Sequence, residues 1–117
     1  MKKVLFVCTG NTCRSSMAEG LFKKLLEDLG KKGEIEVKSC GIFARSGDTA
    51  SPNAVKVLKN EGIDISTHRT QPLTEKLLNE ADLVLTMTKS HKDYILNFFP
   101  RIKGKVYVLG EFAGKTE

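Results

Sequence analysis

Cysteine is scarce in this chain, which has three cysteines among its 117 residues. A small and odd number of cysteines is typical of a reducing compartment rather than of a secreted fold held together by disulfides. We therefore expect a cytoplasmic protein.

Long apolar runs are absent as well. No stretch of the sequence approaches the roughly 20 consecutive apolar residues that a membrane-spanning helix needs. Near the N-terminus, Lys2 and Lys3 precede an apolar run, Val4–Cys8, which is too short for a signal peptide and leads directly into polar residues. The sequence thus gives no indication of a membrane as a partner.

Two kinds of binding site also lack their usual residues. The only histidines, His68 and His91, do not have the spacing of a metal site, so we expect neither a metal nor another cofactor. The net charge of +5 comes from dispersed basic residues without interleaved aromatics, so we expect no nucleic-acid partner. Most of this charge is explained by a solvated surface, although a mildly basic surface would attract phosphorylated substrates.

The N-terminal region does contain an unusual junction. The apolar run before Cys8 predicts a strand that is buried on both faces. Small polar residues and Gly10 follow, and after Arg14 the apolar residues recur with the period of a helix as far as Leu29. A thiol therefore stands where a strand ends, and an arginine stands where a helix begins, with five residues between them.

This junction predicts the chemistry of a cysteine-dependent phosphatase. Free N–H groups of such a turn and of a helix N-terminus bind an oxyanion, and the same field favours the Cys8 thiolate. Arg14 adds a planar fork for two oxygens of a tetrahedral anion. The thiolate would attack phosphorus, and water would hydrolyse the resulting phosphocysteine. The alternative is an ordinary buried cysteine beside a solvated arginine.

The rest of the chain alternates between strands and helices without repeats or linkers. Strands are predicted at residues 3–8, 35–40, 83–87 and 105–109. Helices are predicted at residues 14–29, 73–81 and 89–99, with a further helix that Pro52 begins and Gly62 ends. This alternation predicts one α/β domain over residues 1–117 with a parallel sheet. Ligands of such sheets bind at the carboxyl ends of strands, where Cys8 stands.

The segment Val7–Ser15, which reads VCTGNTCRS, resembles the signature of low-molecular-weight protein tyrosine phosphatases. The resemblance continues in order through residues 17–19, 39–41, 62–66, 68–69 and 81–88, and so covers nearly the whole chain. It implies a flavodoxin-like fold, a three-layer sandwich around a central four-stranded parallel sheet. It also implies that the partners are phosphorylated proteins, and that phosphate or another oxyanion binds in the loop.

Within this family, the sequence is more similar to the protein-arginine phosphatases of bacteria. That branch has threonine at the position of Thr12, where tyrosine phosphatases usually carry a bulky aliphatic residue. Met87 and Thr88, followed by His91, are also more like that branch. Thr12 is thus a candidate specificity residue, or else an ordinary polar loop residue. Phosphoarginine and phosphotyrosine both remain open as substrates.

The resemblance also assigns roles to the loop residues. Cys8 is the nucleophile, Arg14 binds the phosphoryl oxygens, and Ser15 donates a hydrogen bond to the Cys8 thiolate. Phosphate-binding groups are expected at Thr9, Gly10, Asn11, Thr12, Cys13, Arg14 and Ser15.

Further positions support the loop in this family. Asn11, Ser39 and His68 resemble its hydrogen-bond network under the loop, and Asn11 is expected to have a left-handed backbone. His68 is equally well explained as a partly buried histidine. Cys13 can form a reversible disulfide with Cys8, or it fills space, and Cys40 is expected in the core.

One expected group is missing from the sequence. The family's general acid is an aspartate in an Asp-Pro pair after the fourth strand, and this sequence has no Asp-Pro. Glu111 and Glu117 are the carboxylates found there instead. We therefore expect a shortened domain that lacks a C-terminal helix and is weakly active or inactive. The alternative is a module that binds phosphorylated residues without turning them over.

Two related classes fit less well. Arsenate reductases of this fold need further cysteines, and none occurs from Asp82 to His91. Phosphocysteine carrier domains of sugar transport systems share the architecture but lack an arginine like Arg14.

Overall fold

The computed structural model describes residues 2–112, and a four-stranded parallel sheet forms its centre. The strands are β1 (Lys2–Cys8), β2 (Ile35–Gly41), β3 (Leu83–Thr86) and β4 (Val106–Val108), in the order β2-β1-β3-β4. Every neighbouring pair is parallel. The predicted sheet is thus confirmed, and Cys8 lies at the carboxyl end of an inner strand.

Helices lie on both faces of this sheet. They are α1 (Arg14–Asp28), α2 (Pro52–Asn60), α3 (Glu75–Glu80), α4 (Lys89–Phe98) and the four-residue α5 (Leu109–Phe112). A 3₁₀ helix also covers Pro100–Lys105. The predicted fourth strand was too long at both ends, because the two residues at its ends belong to helical segments. Pro100, whose φ is fixed near the helical value, begins the first of these segments.

Side chains of β1 alternate between two apolar layers, as the pleat of a strand requires. Leu5 and Val7 pack in the layer beneath α3 and α4. Val4 and Phe6 pack in the layer beneath α1. This arrangement confirms the predicted three-layer sandwich and explains why the run before Cys8 is apolar at every position.

The apolar face of α1 is narrower than the sequence predicted. Phe22 and Leu26 pack against the sheet. Leu21, Leu25 and Leu29 form a second stripe at i, i+4 and i+8, and about half of each side chain is exposed. Since one helix turns only part of its surface towards a sheet, this stripe lies beyond the contact.

Local side-chain caps fix where the helices begin. Thr74 accepts a hydrogen bond from the Leu77 N–H at the start of α3. Thr88 and His91 form a reciprocal capping box at the start of α4.

No helix within residues 2–112 is long and apolar enough to cross a membrane. The prediction that a C-terminal helix is absent concerns the chain beyond Phe112, which is outside the described residues. Glu117 is also outside them.

Candidate active site

Cys8 is the last residue of β1, and its side chain is buried at the base of the loop that leads into α1. Its Sγ lies 2.8 Å from Ser15 Oγ and accepts a hydrogen bond from the Asn11 N–H at 3.2 Å. Both contacts stabilise a negative charge on sulfur. The expected hydrogen bond between Ser15 and Cys8 is therefore present.

Three carbonyl groups of the loop accept hydrogen bonds from the surrounding structure: Thr9 from the Phe43 N–H (2.9 Å), Asn11 from His68 Nε2 (2.8 Å) and Thr12 from the Ser51 N–H (2.7 Å). Since C=O and N–H of a trans peptide point in opposite directions, the next N–H in each case faces inwards. These N–H groups belong to Gly10, Thr12 and Cys13, and none of them donates to another group within residues 2–112. They can bind the oxygens of an anion.

Arg14 is the first residue of α1, and its side chain is exposed. Among the residues that the structure describes, its guanidinium makes neither a hydrogen bond nor an ion pair. Its positive charge nevertheless acts on the site, because it lowers the pKa of His91 in addition to the larger effect of burial. The guanidinium and the inward amides together favour a multiply charged oxyanion.

Asn11 organises the polar groups beneath the loop. Its φ of 59° confirms the predicted left-handed backbone. Its Nδ2 donates to Ser15 Oγ and to Ser39 Oγ, both at 2.9 Å. Its Oδ1 accepts from the Gln71 N–H, and its carbonyl accepts from His68. The structure thus brings together all the predicted supporting residues.

Two residues of this network were missed by sequence analysis. Gln71 contributes its N–H to Asn11 and its Nε2 to the Ser39 carbonyl. Glu19 accepts a hydrogen bond from Ser39 Oγ and lies 3.9 Å from His68 Nδ1. Glu19 is one helical turn beyond Ser15, and it lies in a segment that carries the family resemblance, but neither feature assigned it a role.

His91 was also missed as a site residue. Its Nδ1 accepts a hydrogen bond from the Thr88 N–H at 3.2 Å, so the proton of the neutral ring is on Nε2. Nε2 in turn donates to Thr9 Oγ1 at 2.9 Å. The start of α4 is therefore fastened to the first residue of the loop. The Thr88-x-x-His91 spacing of a capping box was the available sequence indication.

Gly41 is the residue of β2 that pairs with Cys8. A Cβ atom at this position would lie 2.6 Å from the Thr9 carbonyl oxygen and 2.9 Å from the Asn11 backbone nitrogen. The loop therefore needs glycine here, a requirement that the sequence does not reveal.

All three cysteines are free thiols in the structure. Cys13 is exposed, whereas Cys40 is fully buried, and burial raises the pKa of Cys40 to about 12. Cys40 is therefore a core residue, as predicted. A disulfide between Cys13 and Cys8 stays a prediction.

Comparison with known proteins identifies the family of this chain. Residues 3–117 match the family model for low molecular weight phosphotyrosine protein phosphatases. The chain belongs to this family. It is also similar to a protein-arginine-phosphatase of Bacillus subtilis (strain 168), with 47% identity over 94% of this chain and 71% of the relative.

Solved structures of the phosphatase family agree closely with this fold. A low molecular weight protein tyrosine phosphatase from T. tengcongensis is 50% identical, with a TM-score of 0.92 over 99% of this chain and 78% of its own. A cysteine-to-serine variant of the YwlE arginine phosphatase, with a phosphorylated active-site serine, is 45% identical, with a TM-score of 0.88 over 94% and 70%. An arsenate reductase of Staphylococcus haemolyticus is related at a lower identity of 38%, over 97% and 81%.

Proposed function

We propose that this protein hydrolyses phosphoarginine in proteins through a phosphocysteine on Cys8. The observation that carries the proposal is the environment of Cys8 Sγ. It lies within hydrogen-bond distance of Ser15 Oγ, in the first turn of α1, and of the Asn11 N–H in the loop. A sulfur held in this way is a nucleophile in its ionised form. The inward amides and Arg14 supply the positive field for a phosphoryl group.

The reaction proceeds in two displacements at phosphorus. In the first, the Cys8 thiolate forms the S–P bond, the P–N bond breaks, and the leaving guanidino nitrogen takes a proton from solvent water. In the second, water attacks the phosphocysteine, which releases phosphate and restores the thiolate. The solved YwlE variant with a phosphorylated active-site serine supports a covalent intermediate at the position of Cys8.

Thr12 is the residue that we propose selects phosphoarginine. Its side chain is half-buried in the loop, and its hydroxyl lies near Gly10. Overall identity does not discriminate between substrates, because both arginine and tyrosine phosphatases are relatives at 45–50% identity. Phosphotyrosine is thus the second candidate substrate.

The test compares kcat/KM for matched phosphoarginine and phosphotyrosine peptides. T12I is expected to lower the phosphoarginine-to-phosphotyrosine ratio at least tenfold, or about 1.4 kcal/mol, because isoleucine removes the hydroxyl and is bulkier than threonine. T12S keeps the hydroxyl and serves as the control. A wild-type preference for phosphotyrosine, or a T12I ratio equal to that of wild type, would reject the assignment.

A module that binds phosphorylated residues without turnover would differ from a phosphatase in never forming the phosphocysteine. Rapid quenching followed by mass spectrometry should detect phosphate on Cys8 of the wild-type protein and none on the C8A variant. If wild type binds a phosphorylated peptide as tightly as C8A does, and no phosphocysteine forms, it is a binding module.

An arsenate reductase would need cysteines that relay a disulfide. Cys40 is poorly suited to this task, because it is fully buried and its pKa is raised to about 12.

We also propose that phosphorylated proteins are the physiological partners and that the protein acts in the cytoplasm, where free thiols persist.

A further inference from the structure

Three aromatic side chains lie in a row beside the loop, and we call them the aromatic strip (Phe43, Tyr94 and Phe98). The ring centroids of Phe43 and Tyr94 are 5.7 Å apart, and those of Tyr94 and Phe98 are 4.9 Å apart. Phe43 is 72% exposed and Phe98 is 60% exposed. Exposed aromatic side chains that are held in place by one another are typical of protein-binding surfaces.

The aromatic strip is continuous with the candidate active site. The Phe43 N–H donates to the carbonyl of Thr9, the residue that follows Cys8. On α4, Tyr94 and Phe98 follow His91 along one face of the helix, and His91 is bonded to Thr9. The strip is thus connected to Thr9 at Phe43 directly, and on the α4 side through His91.

We infer that the aromatic strip binds an apolar side chain of the substrate protein next to the phosphorylated residue. This inference rests on the proposed function, because the rest of a protein substrate must cross the surface around the loop. The two centroid separations span at most about 10 Å, which is about three residues of extended chain at 3.3 Å per residue. The strip can therefore contact one or two side chains of an extended substrate segment.

Tyr94 adds a polar group to this apolar surface. Its hydroxyl makes no hydrogen bond within residues 2–112, and its ring lies between the other two aromatics. A tyrosine in this position can donate to a backbone carbonyl while its ring contacts an apolar side chain. A peptide offers both groups, whereas an apolar small molecule offers only one.

The experiment uses phosphorylated peptides that carry a single leucine at each position from −4 to +4 in an otherwise alanine and glycine background. We expect leucine at one or two of these positions to raise kcat/KM about tenfold over the peptide without leucine, as burial of part of a leucine side chain predicts. F98A should abolish this gain, and F98L should retain most of it. The matched control is L25A, since Leu25 is 51% exposed on α1 and remote from the aromatic strip.

Failure of this inference can be told apart from failure of the proposed function. Hydrolysis of a small aryl phosphate by wild type, and its loss in C8A, tests the function alone. Binding of the same peptides to the C8A variant, which has no nucleophile at position 8, gives the leucine preference without turnover. Equal affinity for all peptides, or an equal gain in wild type and F98A, would overturn the inference even if hydrolysis is normal.

A second copy of the chain is the other possible occupant of the aromatic strip. Sedimentation of wild type and F98A separates the two cases. If F98A abolishes a dimer and leaves the leucine preference unchanged, the strip joins copies of this chain and the inference is wrong.

Discussion

His91 Nε2 donates a hydrogen bond to Thr9 Oγ1 across 82 positions of sequence, and this bond joins the start of α4 to the loop that follows Cys8. The same ring accepts the Thr88 N–H on its other nitrogen. Only the neutral imidazole can do both. His91 is therefore a positioning residue whose charge state matters to the loop.

The first prediction concerns the pH dependence of stability. Burial, and to a smaller extent Arg14, lowers the pKa of His91. Folding thus disfavours protonation of His91. The contribution of neutral His91 to the free energy of unfolding is complete above the unfolded pKa of about 6.5, and it is lost as pH falls towards the lowered pKa of the folded state. Urea denaturation should show that the stability advantage of wild type over H91Q shrinks between pH 7.5 and pH 5. A constant difference over this range would contradict the prediction.

The second prediction concerns the hydrogen bond between Ser15 and Cys8. S15A removes the Oγ that lies 2.8 Å from Cys8 Sγ, and also a partner of Asn11 Nδ2. Hydrogen bonds to charged groups contribute about 1.5–3 kcal/mol. Alkylation of Cys8 by iodoacetamide at pH 7 should therefore slow about tenfold or more.

The matched control for this experiment is S16A. Ser16 is also buried, but its Oγ bonds to the Cys13 carbonyl rather than to Cys8. If the two variants slow alkylation equally, the effect comes from a general disturbance of α1.

The parts of the site that are local in sequence could be predicted. Cys8 and Arg14 are separated only by the loop itself, and the change from an apolar run to a helical pattern marks both of its ends. The left-handed backbone of Asn11 follows from the tolerance of asparagine for that conformation.

Of the parts that depend on how distant elements meet, the family resemblance placed Ser39 and His68 under the loop, but other contacts were missed. Gly41 contacts the loop because β1 and β2 pair in a register that puts it opposite Cys8, and one sequence does not specify that register. The bond from His91 to Thr9 depends on the packing of α4. In α1, both the exposed leucine stripe and the buried stripe follow the period of a helix. Periodicity alone therefore could not show which stripe faces the sheet.

The third prediction concerns Gly41. In G41A, the added Cβ would overlap the Thr9 carbonyl oxygen and the Asn11 backbone nitrogen, which are main-chain atoms of the loop. Since these atoms cannot rotate away, we expect a loss of about 1–3 kcal/mol of stability and a marked loss of phosphatase activity. G33A is the control, because a Cβ at Gly33 meets nothing within 4 Å. Activity of G41A equal to that of G33A would show that the loop tolerates the displacement.

The fourth prediction concerns oxidation of the loop. Cys13 is an exposed free thiol, whereas Cys8 is buried and bonded to Ser15 and Asn11. If Cys13 captures the sulfenic acid of Cys8 as a disulfide, oxidation stops before the irreversible sulfinic stage. Wild type treated with hydrogen peroxide should then recover its activity with dithiothreitol, whereas C13S should not. The control is C40S, whose position is fully buried and not part of the loop, and which should recover as wild type does. Mass spectrometry that finds no bond between residues 8 and 13 in oxidised wild type, or full recovery of C13S, would leave Cys13 as a residue that only fills space.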